Sequence, residues 1–406
     1  MHVCVIGAGV VGLATAYSLQ QAGHQVTVVD RAAQAAAGAS GGNGAQLSYA
    51  YVQPLAEPGI WKQLPKLLLA ADSPLKFRLQ ADPQQWSWGL QFLGACNATT
   101  SAASTQALLN LAAESRQVFE AMLARESLDC DHHTPGKLVL YPTQAALDSA
   151  ARQVALQAQL GGPAQQVVDA AAVARLEPAL GHYAPRMAGA IYTPSESAVD
   201  CRKLCEQLAR LLAQRGARFC YFTTVEGYEV QGGTITALHS NQGRITADHF
   251  VLASGWESAA QARRLGLHVP VYPLKGYSIT VDAAHTPAAA PRISVTDTTR
   301  KVVFARIGER LRVAGMVEIV GRNQQIDASK IASLQQSTRE VFPDLPLGAE
   351  VQPWTGMRPA TPTGLPITGR KQGGPANLWL QTGHGALGLT LAFGSAQRLA
   401  QQMEKV

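Results

Sequence analysis

The chain has 406 residues, 47% of them hydrophobic and 15% charged, with a net charge of +6. That length exceeds one ordinary core and points to two domains. The basic excess is mild and spread along the chain without a nucleic-acid-binding motif, so nucleic acid is not an expected partner. No apolar run approaches the ~20 residues of a membrane-spanning helix, and a signature opening at residue 3 reads as a chain without a signal peptide.

The first elements come as strand, helix and strand. Val3 to Ile6 and Val26 to Val29 are short apolar runs of strand length, and residues 14–21 between them carry helix formers up to Gly23. Gly7, Gly9 and Gly12 stand at G-x-G-x-x-G spacing: a tight turn, a close backbone approach to a pyrophosphate, and close helix–strand packing. The helix start at Val10 and Val11 offers amide N–H groups and a partial positive charge to phosphates. Asp30 ends the second strand, 18 residues beyond Gly12, where a carboxylate accepts from ribose hydroxyls. Taken together, the strand, helix, strand and acid in register predict a bound dinucleotide.

A small-residue loop follows over 31–45, and then a stretch rich in aromatic and basic residues over 59–94. In it Trp61, Leu67, Leu68, Leu69, Phe77, Trp86, Trp88 and Phe92 alternate with Lys62, Lys66, Lys76 and Arg78. Two readings are open for this stretch: amphipathic helices covering a core, or a segment lying on an anionic membrane. Residues 101–127 predict a long helix with Leu108, Leu111, Phe119 and Leu123 on one side. Lys137 to Tyr141 predicts a strand, and Thr143 a cap for a helix over 144–160. A helix over 200–215 precedes four short β runs between 217 and 254. Strands near 271–281, 301–306 and 310–316 and a helix over 326–341 come next. A strand at 377–382 and a helix from about 387 to 403 close the chain.

The six cysteines (Cys4, Cys96, Cys130, Cys201, Cys205, Cys220) show no C-x-x-C spacing and read as free thiols of a reducing compartment. His132–His133 has no partner at metal-ligand spacing and reads as solvated, so no metal is expected.

The C-terminal "QTGHGALGLTLAFGSA" repeats the logic of the opening, with a strand before the glycines and a helix after them. A cofactor held at both ends must be long. FAD presents a pyrophosphate to the first glycine turn, and its ring takes up negative charge on reduction, which a helix start near Ala386–Gly388 would stabilise. NAD leaves the second cluster without a role.

"VIGAGVVGLATAYSLQQAGHQVTVVDR", S-x-x-N-x-x-Q-x-S at 40–48, "PVYPLKGYS" at 270–278, "RLRVAGMVEIVG" at 310–321, "WTGMRPATPTGLPITGR" at 354–370 and "NLWLQTGHGALGLTLAFGS" at 377–395 together resemble the D-amino acid dehydrogenase flavoproteins, within the wider group of D-amino acid oxidase and glycine oxidase. The resemblance implies an α/β fold in which a discontinuous Rossmann-like FAD domain (1–58, 190–258, 350–406) interleaves with a substrate domain on an antiparallel sheet (59–189, 259–349). It implies non-covalent FAD and oxidative deamination of a D-amino acid to a 2-oxo acid and ammonia. Hydride passes from Cα to flavin N5, and the electrons go to a quinone or other acceptor. An oxidase of a related small amine, or a flavin-binding subunit of a hetero-oligomer, are the alternatives. The implied location is cytoplasmic, with peripheral contact on the inner face of the membrane as a further expectation.

Residue by residue, the resemblance places Gly7, Gly9, Val10, Val11, Gly12, Asp30 and Arg31 at the ADP half. Ser40, Asn43, Gly44, Ala45 and Gln46 fall along the pyrophosphate and flavin, Val225 at adenine through its backbone, and Gly255 under the ribose. Gly383, His384, Gly385, Leu387, Gly388, Leu389 and Thr390 fall at the flavin ring. Arg358 matches the arginine that grips the substrate carboxylate, a role suited to its planar fork. Tyr51 matches an active-site tyrosine. His384 reads either as a partner of the flavin region or as a packed histidine. Lys275 and Tyr277 read either as facing the substrate mouth or as strand-end residues. Val302 falls where glycine oxidase-like members carry a substrate tyrosine.

Overall fold

Strands buried on both faces need apolar residues at every position, and the opening strand has them: Val3, Cys4, Val5 and Ile6 are all buried. In the computed structural model, which describes residues 1–61, 75–159, 161–348 and 351–405 (the backbone alone for 75–77), this strand, His2–Ile6, lies inside a six-stranded sheet. The order is Ile367–Gly369, Leu378–Thr382, His249–Leu252, His2–Ile6, Gln25–Val29 and Arg218–Cys220, parallel except at the first pair. Helices Val10–Gln21 and Gly388–Met403 cover one face, together with Ala98–Arg125 and Cys201–Gln214, in one apolar core containing Leu13, Leu108, Phe119, Leu204 and Phe393.

A second, nine-stranded sheet runs Gln352–Ala360, Tyr272–Asp282, Arg310–Ile319, Val302–Ile307, Ser294–Asp297, Lys137–Tyr141, Gly189–Thr193 and Gln166–Asp169, with Leu75–Phe77 beside Arg310–Ile319. Its pairs are antiparallel except Ser294–Asp297 with Lys137–Tyr141 and Leu75–Phe77 with its neighbour. Helix Ala328–Val341 covers one face over Tyr277, Ile279, Val302, Phe304 and Val313. Most helices and strands fall within a few residues of their expected places, with Thr143 Oγ accepting from the Ala146 amide at 3.3 Å at the start of Gln144–Gln159.

Gly189–Thr193 and Gln352–Ala360 belong to the nine-stranded sheet, and Ala98–Arg125 packs on the six-stranded unit. Two expectations need correction. The span 217–254 carries five strands, because Val225–Gln231, Thr234–Ser240 and Gly243–Ile245 form a separate small sheet. His132 and His133 are half-buried rather than solvated: the His132 ring meets Phe119 edge-on and His133 Nδ1 lies 3.1 Å from the Asp131 carbonyl oxygen.

Candidate active site

The glycine turn is built by steric necessity. A Cβ on Gly12 would sit 1.9 Å from the Gly7 carbonyl oxygen, and one on Gly7 would sit 2.4 Å from that of Ala253. Gly9, the N-cap of Val10–Gln21, supplies no side-chain cap, and the Val10 amide instead meets Ser40 Oγ at 3.0 Å. That bond draws the 40–46 loop over the helix start. Asp30 accepts from the Ala8 amide at 2.7 Å and the Ala32 amide at 2.8 Å, one on each oxygen. Each oxygen keeps a lone pair for a ribose hydroxyl. Arg31 pairs with Glu257 at 2.6 Å, next to Gly255 and its φ of 60°. The Val225 carbonyl accepts from Arg264 at 2.9 Å and Gln261 at 3.2 Å.

The second glycine cluster meets the same loop. The Ser48 amide lies 3.4 Å from Thr390 Oγ1, bringing the segment after Gln46 against the start of Gly388–Met403. Neither this helix nor the short 3₁₀ turn Gly385–Leu387 before it has a side-chain N-cap. Gly383 and Gly385 take positive φ, 83° and 55°. Leu387 and Leu389 turn their side chains into the core, which leaves only their backbone to face a ligand. His384 is 1% exposed. Ser395 Oγ donates to the Ala392 carbonyl oxygen, so it accepts from Gln381 and from His384 Nε2–H at 2.8 Å. Nδ1 is then a buried acceptor without a protein partner, and burial lowers the ring's pKa to about 3, which keeps it neutral. Two uncapped helix starts and one orphaned acceptor fit the two ends of FAD, whose ring carries both carbonyl oxygens and an N–H.

The large sheet supplies the opposite wall, and here the strand period decides which residues are available. Gly276, Ser278 and Thr280 share a face with Trp354, Gly356 and Arg358, and with Arg312 and Ala314 of the next strand. Ser278 Oγ donates to the Gly42 carbonyl oxygen at 2.7 Å, and Arg312 donates to that of Asn43 at 2.8 Å. Both peptides are trans, so the amides of Asn43 and Gly44 point away from the sheet. Gln46 donates to the carbonyls of Phe304 and Val295 at 3.1 and 3.3 Å, which fastens the loop to the sheet. Ser278 and Arg312 went unrecognised in the sequence reading, although both lie inside its quoted blocks.

Arg358 is the one site arginine on that face with a free fork. Its guanidinium lies flat on Gly276, where a Cβ would come within 2.3 Å of Cζ. One donor reaches the Met316 carbonyl oxygen at 2.9 Å; Met316 has a φ of 65°, next to the register shift between Lys275 and Tyr277. No carboxylate pairs with Arg358 among the described residues. Burial lowers its pKa to about 10, so it stays charged at neutral pH. Lys275, Tyr277 and Val302 do not share this wall. Tyr277 donates to Glu318 at 2.7 Å, Lys275 donates to the Gln325 carbonyl, and Val302 lies in the core under Ala328–Val341. Val303 faces the loop instead, against Gly44.

Tyr51 follows the loop closely, its amide donating to the Ser48 carbonyl oxygen at 3.3 Å. Its hydroxyl is 3.0 Å from that of Tyr141, and burial raises its pKa well above the ordinary value. Of the 59–94 stretch, residues 62–74 fall outside the described residues. Trp88 and Phe92 stack in the interior at 5.1 Å, as the core reading expects. Trp86 and Leu90, one turn apart on helix Pro83–Ala95, are 51% and 69% exposed, and Trp61 is 52% exposed. No described helix is long and apolar enough to cross a membrane, and no described group of three or more His, Cys, Asp or Glu could hold a metal ion.

The family model described as DAO, FAD dependent oxidoreductase, matches residues 2–402. The chain is 43% identical over 410 residues to D-amino acid dehydrogenase 2 of Ralstonia nicotianae, covering 98% of this chain and 96% of that one. It is 44% identical to D-amino acid dehydrogenase 2 of Pseudomonas aeruginosa, covering 99% and 94%. Among solved structures, glycine oxidase from Geobacillus kaustophilus superposes with a TM-score of 0.78 at 22% identity over 99% of this chain and 94% of that one. L-proline dehydrogenase from P. horikoshii superposes at 0.75 and 15% identity, over 100% and 93%. At such identities the superpositions speak to the fold alone.

Proposed function

Since the chain belongs to the FAD-dependent oxidoreductase family, we propose that it oxidises a D-amino acid to the 2-oxo acid and ammonia and passes the electrons to a quinone or another acceptor rather than to oxygen. The observation that carries the substrate class is Arg358: a half-buried, charged guanidinium, flat against Gly276, with a single carbonyl as protein partner among the described residues. A half-buried guanidinium without an anion leaves its fork open, and a substrate carboxylate supplies the missing partner bidentately. The same arginine weighs against a flavin-binding subunit that lacks a substrate site.

FAD, when bound, accepts the two electrons that leave Cα with its hydrogen. The residues of the chain do the rest. Gly7, Gly9 and Gly12 with the amide at Val11 would hold the diphosphate, and Asp30 the ribose. The amides of Asn43 and Gly44, aimed by Ser278 and Arg312, and the helix start at Gly388 receive the ring. Arg358 fixes the carboxylate, and Tyr51 closes the pocket. No described side chain must act as a strong base, since the amino acid reacts as its neutral amine.

The acceptor reading draws on the relatives' names and on the exposed apolar face formed by Trp86 and Leu90. Beside the same helix, a cavity of about 350 Å³ is lined by Gln91, Pro270, Pro362, Thr363 and Leu365. It also touches Thr361, whose methyl packs against Gly383.

The deciding experiment is flavin bleaching without oxygen, using a panel of D- and L-amino acids, followed by reoxidation with a soluble quinone or with air. Bleaching by D-isomers and fast reoxidation by the quinone are expected. Bleaching by L-isomers alone overturns the substrate class, and stoichiometric peroxide with no response to quinone overturns the acceptor. Arg358→Ala should lower kcat/KM by roughly two to four decades, as removal of one member of a buried pair does at about 3–5 kcal/mol.

A further inference from the structure

Lys137 opens the strand Lys137–Tyr141 and is 4% exposed. Its Nζ donates to Ser48 Oγ at 2.7 Å and lies 4.8 Å from the centre of the Tyr51 ring. No carboxylate lies within ion-pair distance of Nζ among the described residues. The nearest opposite charge is Glu196, 1% exposed, which accepts from the Ala50 amide at 2.8 Å through Oε1 and leaves Oε2 without a partner. A lysine and a glutamate buried together without contact cost free energy that a fold alone does not require. The sequence reading took Lys137 only as the start of a strand.

The surroundings connect this lysine to the site. Ser48 is the residue whose amide meets Thr390 at the start of the C-terminal helix. Tyr51 is tied to Tyr141, four residues along Lys137's own strand. An ammonium over an aromatic face is attracted by the ring's quadrupole, while a neutral amine is not. We propose that Lys137 is a positioning residue of the active site: its positive charge holds Ser48 and the Tyr51 ring in place, and loss of that charge weakens binding of the substrate carboxylate. This rests on Arg358 and Tyr51 forming the substrate site.

The charge is poised to change. Burial lowers the Lys137 pKa to about 8, against the opposing pull of Glu196. The other titratable groups facing the cluster are Tyr49, Tyr51, Tyr141 and Glu196, all raised chiefly by burial, with Arg116 over the Tyr49 ring, and Glu120 and Glu57 at its rim. Among them Lys137 is the cation that touches both Ser48 and the Tyr51 ring.

The test measures the Kd of benzoate, a carboxylate with no amine to titrate, on the FAD-loaded protein from about pH 6.5 to 9. In the parent, binding should weaken severalfold as the pH rises, with a midpoint near pH 8. Lys137→Arg, whose charge does not titrate, should bind tightly across the range. Lys137→Met should bind weakly across it. A parent profile without a step, or a step that persists in Lys137→Arg or in Lys137→Met, overturns the proposal. If Lys137→Met does not hold FAD, the arginine variant decides alone. Arg358→Ala measured alongside separates the premise: parent-like benzoate binding there refutes the carboxylate site itself, whereas loss of binding there with a persistent step in Lys137→Arg refutes only the role of Lys137.

Discussion

Gly276→Ala should disable the substrate site while leaving the fold intact. Gly276 lies inside the strand Tyr272–Asp282 with ordinary extended geometry, so alanine is conformationally acceptable there and carries less entropic cost than glycine. The added carbon would stand 2.3 Å from Cζ and NH2 of Arg358 and 2.4 Å from NH1, against a usual separation of ~3.5–4.0 Å. The guanidinium is the free end of a flexible side chain and the strand is paired on both sides, so the arginine gives way by more than ~1 Å. Its 2.9 Å bond to the Met316 carbonyl breaks with the move. A misplacement of ~1 Å costs about a hundredfold in rate, or ~2.7 kcal/mol of transition-state stabilisation. Steady-state kinetics with the best D-amino acid should place kcat/KM between those of the parent and of Arg358→Ala, with FAD content and thermal midpoint as in the parent. Activity within threefold of the parent in a folded, FAD-loaded variant would mean that the position of Arg358 does not matter, and with it the carboxylate anchor falls.

Gly12→Ala should abolish FAD binding, because its methyl would overlap the Gly7 carbonyl oxygen at 1.9 Å; a yellow protein with parent-like FAD content refutes this. Denaturing the parent should release all its FAD into the supernatant, and flavin that stays with the precipitated chain would contradict non-covalent binding. His384, with a pKa near 3 in the folded chain against an ordinary 6.5, binds a proton only after unfolding between those values, so stability is present above about pH 6.5 and is lost as the pH falls towards 3. The loss amounts to roughly 3–5 kcal/mol over that window, and His384→Gln should flatten the dependence of the urea midpoint on pH there. Trp86→Ser with Leu90→Ser should reduce sedimentation with anionic liposomes while leaving bleaching by substrate unchanged; sedimentation equal to the parent removes this helix from any membrane contact.

The sequence determined what depends on neighbours along the chain. Three glycines spaced between a strand and a helix, and an acid at the end of the next strand, specify a turn whose atoms all lie within about 30 residues, so the strand–turn–helix–strand unit was legible, with Asp30 bonded to the Ala8 amide. The helix start at Gly388 was legible for the same reason, whereas the arginine in "TGMRP" stood out only through the family resemblance. Only the tertiary structure decided which side of each strand meets the site. Alternation puts Lys275 and Tyr277 opposite Gly276 and Ser278, but no local signal says which pair faces the 40–46 loop; the pairing with Gln352–Ala360 and the bulge at Met316 settle it. Val302 and Val303 are separated by the same choice. Gln46 and Arg312 are 266 positions apart and act on one loop, and Lys137 becomes a buried cation only because the segment through Ser48 and Tyr51 is laid across its strand. Burial and charge pairing are properties of what packs on a residue, and packing partners distant in sequence leave no periodic trace in it.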